Sequence, residues 1–312
     1  MILNNYLKPL RIDHWVKNLV IIIGYIVALL YEPNRDINLK TLLLSFLILC
    51  ISASSNYLIN EYLDRNYDRH HPVKKWRYFS RKHKSGFWVL INYFALVSVS
   101  IFLSLFTNYS FFMLNIFFLI CAIVYNVKPL RMKDVFIFDT LLESINNPVR
   151  FLMGWVLVLP NYYPPISIIL YLWFVGCFLM TMKRYSEYSF IIKKKIKPEL
   201  YRISFKKYNL ESLFSLSLFY SLISLFFFTI FLIKYKIELL LVVPLVCYLY
   251  VYIFELAKQK NSIIMKIEKI YKDRYLIFII FLISIISLIL LKININFLII
   301  FKSNSLIPIN FF

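Results

Sequence analysis

Long apolar runs recur along this chain, near residues 15–31, 40–60, 87–106, 110–125, 135–158, 165–182, 212–233, 237–256 and 275–300. An α-helix of roughly 20 such residues crosses the hydrocarbon core of a bilayer. The runs are continuous and lack the alternation of a barrel strand, and lipid admits only helices and closed barrels. The predicted fold is therefore all-α: a polytopic integral membrane protein with about nine transmembrane helices, in one domain covering 1–312. The hydrophobic share of 61% exceeds the roughly 45–50% of soluble chains, which agrees. Lys8, Arg11 and Lys17 precede the first run as they would in a signal peptide. No small-residue cleavage site follows before Glu32 and Pro33, so this run is read as a span.

The same chain carries 36 Lys and Arg against 16 Asp and Glu, a formal net charge of +20. Of the 36 cations, 29 fall in the N-terminal segment and the even-numbered connections. The positive-inside rule makes that face cytoplasmic, puts the N-terminus and the charged loops inside a bacterial-type inner or plasma membrane, and with nine spans leaves the C-terminus outside. The hydrophilic stretches at about 61–86 and 183–211 are too short for cores of their own and are expected to cap the membrane domain. The basic segment 193–207 fits equally well as a helix lying on anionic headgroups.

Composition narrows the chemistry. The only glycines are Gly24, Gly86, Gly154 and Gly176, so neither a phosphate loop nor a dinucleotide fingerprint can be written. Bound phosphate would have to be held by metal and by Lys or Arg. Cys50, Cys121, Cys177 and Cys247 each stand alone in an apolar run, which predicts reduced packing residues rather than a zinc site. His70, His71 and His83 read as headgroup-level polar contacts. No nucleic-acid partner is expected, and a homo-oligomer is compatible with the sequence.

The sharpest local pattern closes the second span. Asn60, Asp64 and Asp68 recur every four residues and stack on one helix face, with Glu61 at its edge. Two carboxylates and an amide oxygen at this spacing suit Mg²⁺, which takes one or two carboxylates together with phosphate oxygens and water. The alternative is a solvated helix end neutralised by Arg65 and Arg69. A second constellation opens the fifth span: Asp139, Glu143, Asn146 and Arg150 lie within an arc of about 60° on a helix. Ionisable groups inside a span mark a site by default, the alternative here being a structural Glu143–Arg150 pair. Tyr125, Lys128, Arg131, Lys133 and Asp134 crowd the connection just upstream. Two acidic sites on one face, flanked by cations, are what metal-assisted departure of a diphosphate needs.

These residues resemble the UbiA superfamily of intramembrane prenyltransferases, which has nine transmembrane helices and two Asp-rich motifs at the cytoplasmic mouth. Asn60, Asp64 and Asp68 match the first motif, with Glu61 where Asp is usual. His71, Pro72, Lys74 and Arg77 match the stretch that follows, with Tyr78 in place of Pro. Tyr125, Lys128, Lys133, Asp134 and Asp139 stand for the second motif. Three further pieces resemble the polyprenyl-phosphate phosphoribosyltransferase branch: His14 to Asn18, Lys183 to Glu187, and Asp273 to Tyr275.

The resemblance implies a Mg²⁺-dependent transferase acting on a polyprenyl lipid and a diphosphate-activated donor. Asn60, Asp64, Asp68, Asp134 and Asp139 are the implied metal ligands, and Asp64, Asp68 and Asp139 the implied catalytic residues. Lys17, Asn18, Lys75, Arg77, Tyr125, Lys128, Arg131, Lys133, Lys183 and Arg184 would hold phosphate, and Glu61, Glu143, Asn146, Arg150 and Glu187 would support them. The branch implies phosphoribosyl diphosphate as donor and polyprenyl phosphate as acceptor. The wider family implies transfer of a polyprenyl group to an aromatic acceptor. A transporter is the competing class, but transporters place ionisable groups at Gly or Pro breaks near the midplane. An inactive lipid-binding homologue is a third reading, since Glu61 and Tyr78 depart from the pattern.

Overall fold

The computed structural model describes residues 8–69, 74–81, 85–259, 262–295 and 298. His70, His71, Pro72 and His83 lie outside the described residues. Among the described residues all regular structure is helical. The longer helices are α1 (Val20–Tyr31), α2 (Leu39–Asp68), α3 (Gly86–Ser104), α4 (Tyr109–Asn126), α5 (Phe138–Ser144), α6 (Asn146–Trp155), α7 (Ile166–Lys193), α8 (Leu210–Tyr235), α9 (Val243–Lys258) and α10 (Arg274–Lys292).

Eight helical stretches here are long and apolar enough to cross a membrane. The expected span at 135–158 is instead the pair α5 and α6, parted at Ile145. Pro148 explains the break, because it has no N–H to give to the Ser144 carbonyl four residues earlier. Ile145 keeps right-handed helical angles, φ −59° and ψ −22°, so the chain bends there rather than reversing. The basic stretch 193–207 differs from the expected amphipathic helix: α7 ends at Lys193, Lys195 has a positive φ of 56°, and only short turns at Pro198–Tyr201 and Ile203–Lys206 follow.

The chain forms two compact units, one of Met1–Pro164 with Glu187–Leu213, the other of Pro165–Ser186 with Phe214–Phe312. In the first, α1 and α6 meet backbone to backbone. A Cβ on Gly24 would fall on the Phe151 carbonyl, and one on Gly154 on the Ile21 carbonyl. Small residues permit this approach, which dispersion rewards inside lipid. Polar side chains tie the other helices: Ser52 of α2 donates to Asn115 Oδ1 of α4 at 2.7 Å, and Asn115 donates to the Ser100 carbonyl of α3 at 3.3 Å. The turn at Tyr78–Arg81 is seated by Tyr78 and Phe79 among Leu58, Ile59, Val89 and Tyr93. In the second unit aromatic rings carry the packing, with Tyr171 stacked on Phe228 and Phe178 against Tyr250. Cys50, Cys121 and Cys177 are buried and free and Cys247 half-buried and free, as packing residues would be.

Candidate active site

The last two turns of α2 carry Asn60, Asp64 and Asp68 to one end of the first unit. Stacked carboxylates repel on an isolated helix, and here distant cations offset the repulsion. Lys133 Nζ lies 2.6 Å from Asp64 Oδ1, and Arg131 Nη2 lies 3.0 Å from the same oxygen. Arg77 Nη1 lies 2.6 Å from Asp68 Oδ2, and Arg131 Nε donates to Asp134 Oδ2 at 2.7 Å. Lys133 also donates to Asn60 Oδ1 at 3.2 Å and to Asn126 Oδ1 at 3.0 Å. Arg65, expected to neutralise this helix end, instead donates to the Tyr62 carbonyl and lies over the Tyr62 ring.

Asp64, Asp68 and Asp134 share a cleft with Lys74, Arg131, Lys133 and Arg202, walled by Tyr67, Tyr201 and Ile203. Its cavity of about 30 Å³ has room for an ion or a water. Burial, against the pull of Asp64, lowers the Lys133 pKa from 10.5 to about 8. Burial, against the pull of Glu187 Oε1 at 4.0 Å, likewise lowers Lys74 to about 8. The donors fit a hard divalent cation. No group of three His, Cys, Asp or Glu side chains converges among the described residues, but Mg²⁺ needs only one or two carboxylates beside phosphate and water oxygens.

The second constellation does not act as one stripe. Asp139, expected as a metal ligand and catalytic group, is fully buried; its oxygens accept from Tyr208 at 2.7 Å and Ser204 at 3.2 Å. Asp139 therefore fastens segment 202–208 to the start of α5. The same Tyr208 hydroxyl accepts from the Ile137 amide at 2.9 Å. Ile137, with φ 68° and ψ −46°, is the centre of a γ-turn closed by the Phe138 amide on the Phe136 carbonyl, a strained form that needs outside support. Glu143 accepts from Tyr125, whose oxygen accepts from Arg202. Asn146 donates to the Glu143 carbonyl.

The Glu143–Arg150 pair does not form. Arg150, buried, donates to Asn18 Oδ1 at 2.9 Å and Asn147 Oδ1 at 3.4 Å and lies over the Phe118 ring, with no carboxylate within 4.0 Å among the described residues. Seven residues of helix, about 10.5 Å of rise, separate Glu143 from Arg150.

The remaining expected residues divide. Glu61 accepts from Arg11 and from the Phe79 amide, so it anchors the N-terminal segment rather than lining the cleft. Lys75 and Lys128 are exposed and do not line the cleft, and Lys17 is half-buried. Asn18 donates to Cys50 Sγ. Glu187 faces Lys74 across the 4.0 Å noted above. Lys183 and Arg184 belong to the second unit. Asp273, part of a motif singled out by resemblance, caps α10 by accepting from the Leu276 amide. Arg202 and Tyr201 carry no sequence signal of their own; nothing separates Arg202 from the other eight cations of its loop.

Residues 21–267 match the UbiA prenyltransferase family. The chain belongs to that family. Family membership makes it an integral membrane transferase and removes the transporter reading. Two curated relatives are similar over shorter lengths. Nodulation protein NoeC of Azorhizobium caulinodans is 32% identical over 97 residues, 30% of this chain and 31% of that protein. The decaprenyl-phosphate phosphoribosyltransferase of Corynebacterium glutamicum is 32% identical over 74 residues, 23% and 21% of the two chains. The alignments thus span under a third of the relatives' length. Among solved structures, a UbiA homologue from Archaeoglobus fulgidus bound to DMAPP and Mg²⁺ has a TM-score of 0.67 at 20% identity, covering 90% of this chain and 99% of that one. A digeranylgeranylglyceryl phosphate synthase has a TM-score of 0.62 at 17% identity, covering 93% and 99%. The helical bundle of the UbiA family is therefore the fold of this chain.

Proposed function

We propose that this UbiA-family chain transfers the 5-phosphoribosyl group of phosphoribosyl diphosphate to a membrane polyprenyl phosphate, with Mg²⁺, at the cytoplasmic face. The observation that carries the reading is the charge of the cleft. Three carboxylates face four lining cations, with Arg77 on Asp68 as a fifth, a surplus that suits a donor bearing a diphosphate and a 5-phosphate together. The similarity to the decaprenyl-phosphate phosphoribosyltransferases of C. glutamicum and Mycolicibacterium smegmatis supports the same donor.

Asp64 and Asp68 would hold the metal, which when bound offsets charge on the departing diphosphate. Lys133 and Arg131 pair with Asp64, and with Asp64 holding the metal they would be available to phosphate oxygens. Lys74 and Arg202 bind from the opposite wall. The bond from the anomeric carbon to the diphosphate oxygen breaks, and an oxygen of the lipid phosphate forms the new bond to that carbon. The nucleophile is already anionic, so no side chain needs to act as a strong base.

Prenyl transfer to an aromatic acceptor is the second reading, favoured by the A. fulgidus homologue structures bound to DMAPP or GPP with Mg²⁺. Membranes containing the protein, given labelled phosphoribosyl diphosphate with polyprenyl phosphate, or prenyl diphosphate with an aromatic acid, separate the two. Lipid-linked label in the first assay is expected; product in the second alone overturns the proposal.

A further inference from the structure

A second cavity in the first unit is larger than the carboxylate cleft. It encloses about 270 Å³ where the connection after α1 meets the start of α2 and the chain just beyond α6, and its wall includes Tyr25, Arg35, Asp36, Thr41 and Leu157. Helix α2 joins the two places: Thr41 is in its first turn and Asp68 is its last residue. Thirty residues at 1.5 Å each span about 45 Å, the thickness of a bilayer with its headgroups. The cavity therefore lies at headgroup level on the face opposite the cleft.

Both walls are fixed in advance. On one side the Asn38 amide donates to the Tyr25 hydroxyl at 2.9 Å, while Asn38 Oδ1 accepts from the Thr41 amide at 3.0 Å. On the other, Asn108 donates to the Val156 carbonyl and Trp155 to the Tyr162 carbonyl, each at 2.7 Å. In the chain segments that supply these walls, Leu30, Ile37, Leu39, Tyr162 and Tyr163 are exposed, the composition of a surface resting in the interface between acyl chains and headgroups. Arg35 and Asp36 bring adjacent charges of opposite sign to this pocket, on a face that carries few charges.

We infer that this pocket binds the headgroup of a zwitterionic phospholipid of the opposite leaflet, with the phosphate diester on Arg35 and a primary ammonium on Asp36. A single anionic headgroup would leave Asp36 facing like charge, and a sterol or bare acyl chain would leave both charges without a partner. The shared chemistry is a phosphate ester carrying an ammonium group, which a soluble phosphoethanolamine also offers.

The test uses the full chain purified in a neutral detergent and measures retained lipid by native mass spectrometry. Phosphatidylethanolamine, phosphatidylcholine and phosphatidylglycerol are offered in equal amounts, and soluble phosphoethanolamine as competitor. Phosphatidylethanolamine is expected to be retained about threefold over phosphatidylglycerol, the scale of one exposed ion pair. Asp36→Asn should abolish that preference and Arg35→Gln should lower retention of both lipids; these exposed loop substitutions leave the helices intact. Equal retention by the wild type, preference for phosphatidylglycerol, or retention unmoved by both substitutions overturns the site. Displacement by phosphoethanolamine at the lipid's own concentration overturns the lipid as its occupant.

Discussion

Asp64 and Asp68 share a helix face but have different partners, Lys133 and Arg131 on the first and Arg77 on the second. In the proposed reaction both exchange a cation for the metal, so Asp64→Asn and Asp68→Asn should each lower kcat by about a hundredfold or more while the protein stays in the membrane. Near-normal turnover in both would return the pair to a merely neutralised helix end. Lys74 and Lys133 supply a pH signature. Burial places both near 8, below their ordinary 10.5. Below about pH 8 each is charged in folded and unfolded chains alike. Between 8 and 10.5 the unfolded chain holds more protons, so these groups make folding more favourable as pH rises, while the cleft loses its charge for phosphate. The kcat/KM for the phosphorylated donor, which reports the free enzyme, should fall above about pH 8 with a two-proton slope. Lys74→Arg keeps a charge at that position and should leave a one-proton slope; an unchanged slope assigns the limb to other groups.

At the scale of elements, α1 and α6 depend on two glycines. Gly24 and Gly154 each face a backbone carbonyl of the opposite helix with no space for a methyl group, and main chain cannot rotate aside as a side chain can. Gly24→Ala and Gly154→Ala should each destabilise the protein by about 1–3 kcal/mol, read as a lower thermal midpoint in detergent. A midpoint unchanged in both variants would mean that the helices separate at little cost. The bend between α5 and α6 was legible in part, since Pro148 marks it in the sequence. The partners of the four-residue stripe were not: Asp139 and Glu143 meet segment 202–208, Glu143 through Tyr125, and Arg150 meets Asn18.

For the whole molecule, the grouping of 29 cations in the N-terminal segment and even connections predicts the orientation in the membrane. Single cysteines introduced at Lys75 and at Arg35, in a chain with Cys50, Cys121, Cys177 and Cys247 replaced by Ser or Ala, should react with an impermeant maleimide from opposite sides. Lys75 is expected to label only when the cytoplasmic face is opened. Labelling of both from one side would refute the topology.

The sequence by itself determined the all-helical membrane class, the apolar stretches and the first acidic face, because helical periodicity and the cost of burying charge in lipid act on neighbours along the chain. It also brought Arg131, Lys133 and Asp134 to notice through their crowding in one short connection. Only the tertiary structure decided which cation meets which carboxylate. Periodicity states which side chains share a face of one helix and is silent on which faces meet. Lys133 reaches Asp64 across 69 residues, and Arg202 reaches Tyr125 across 77; both follow from how helices and connecting turns pack. For the same reason Asp139, a sequence candidate for metal, became the anchor of a capping segment, and Arg202, one cation among nine, became part of the cleft.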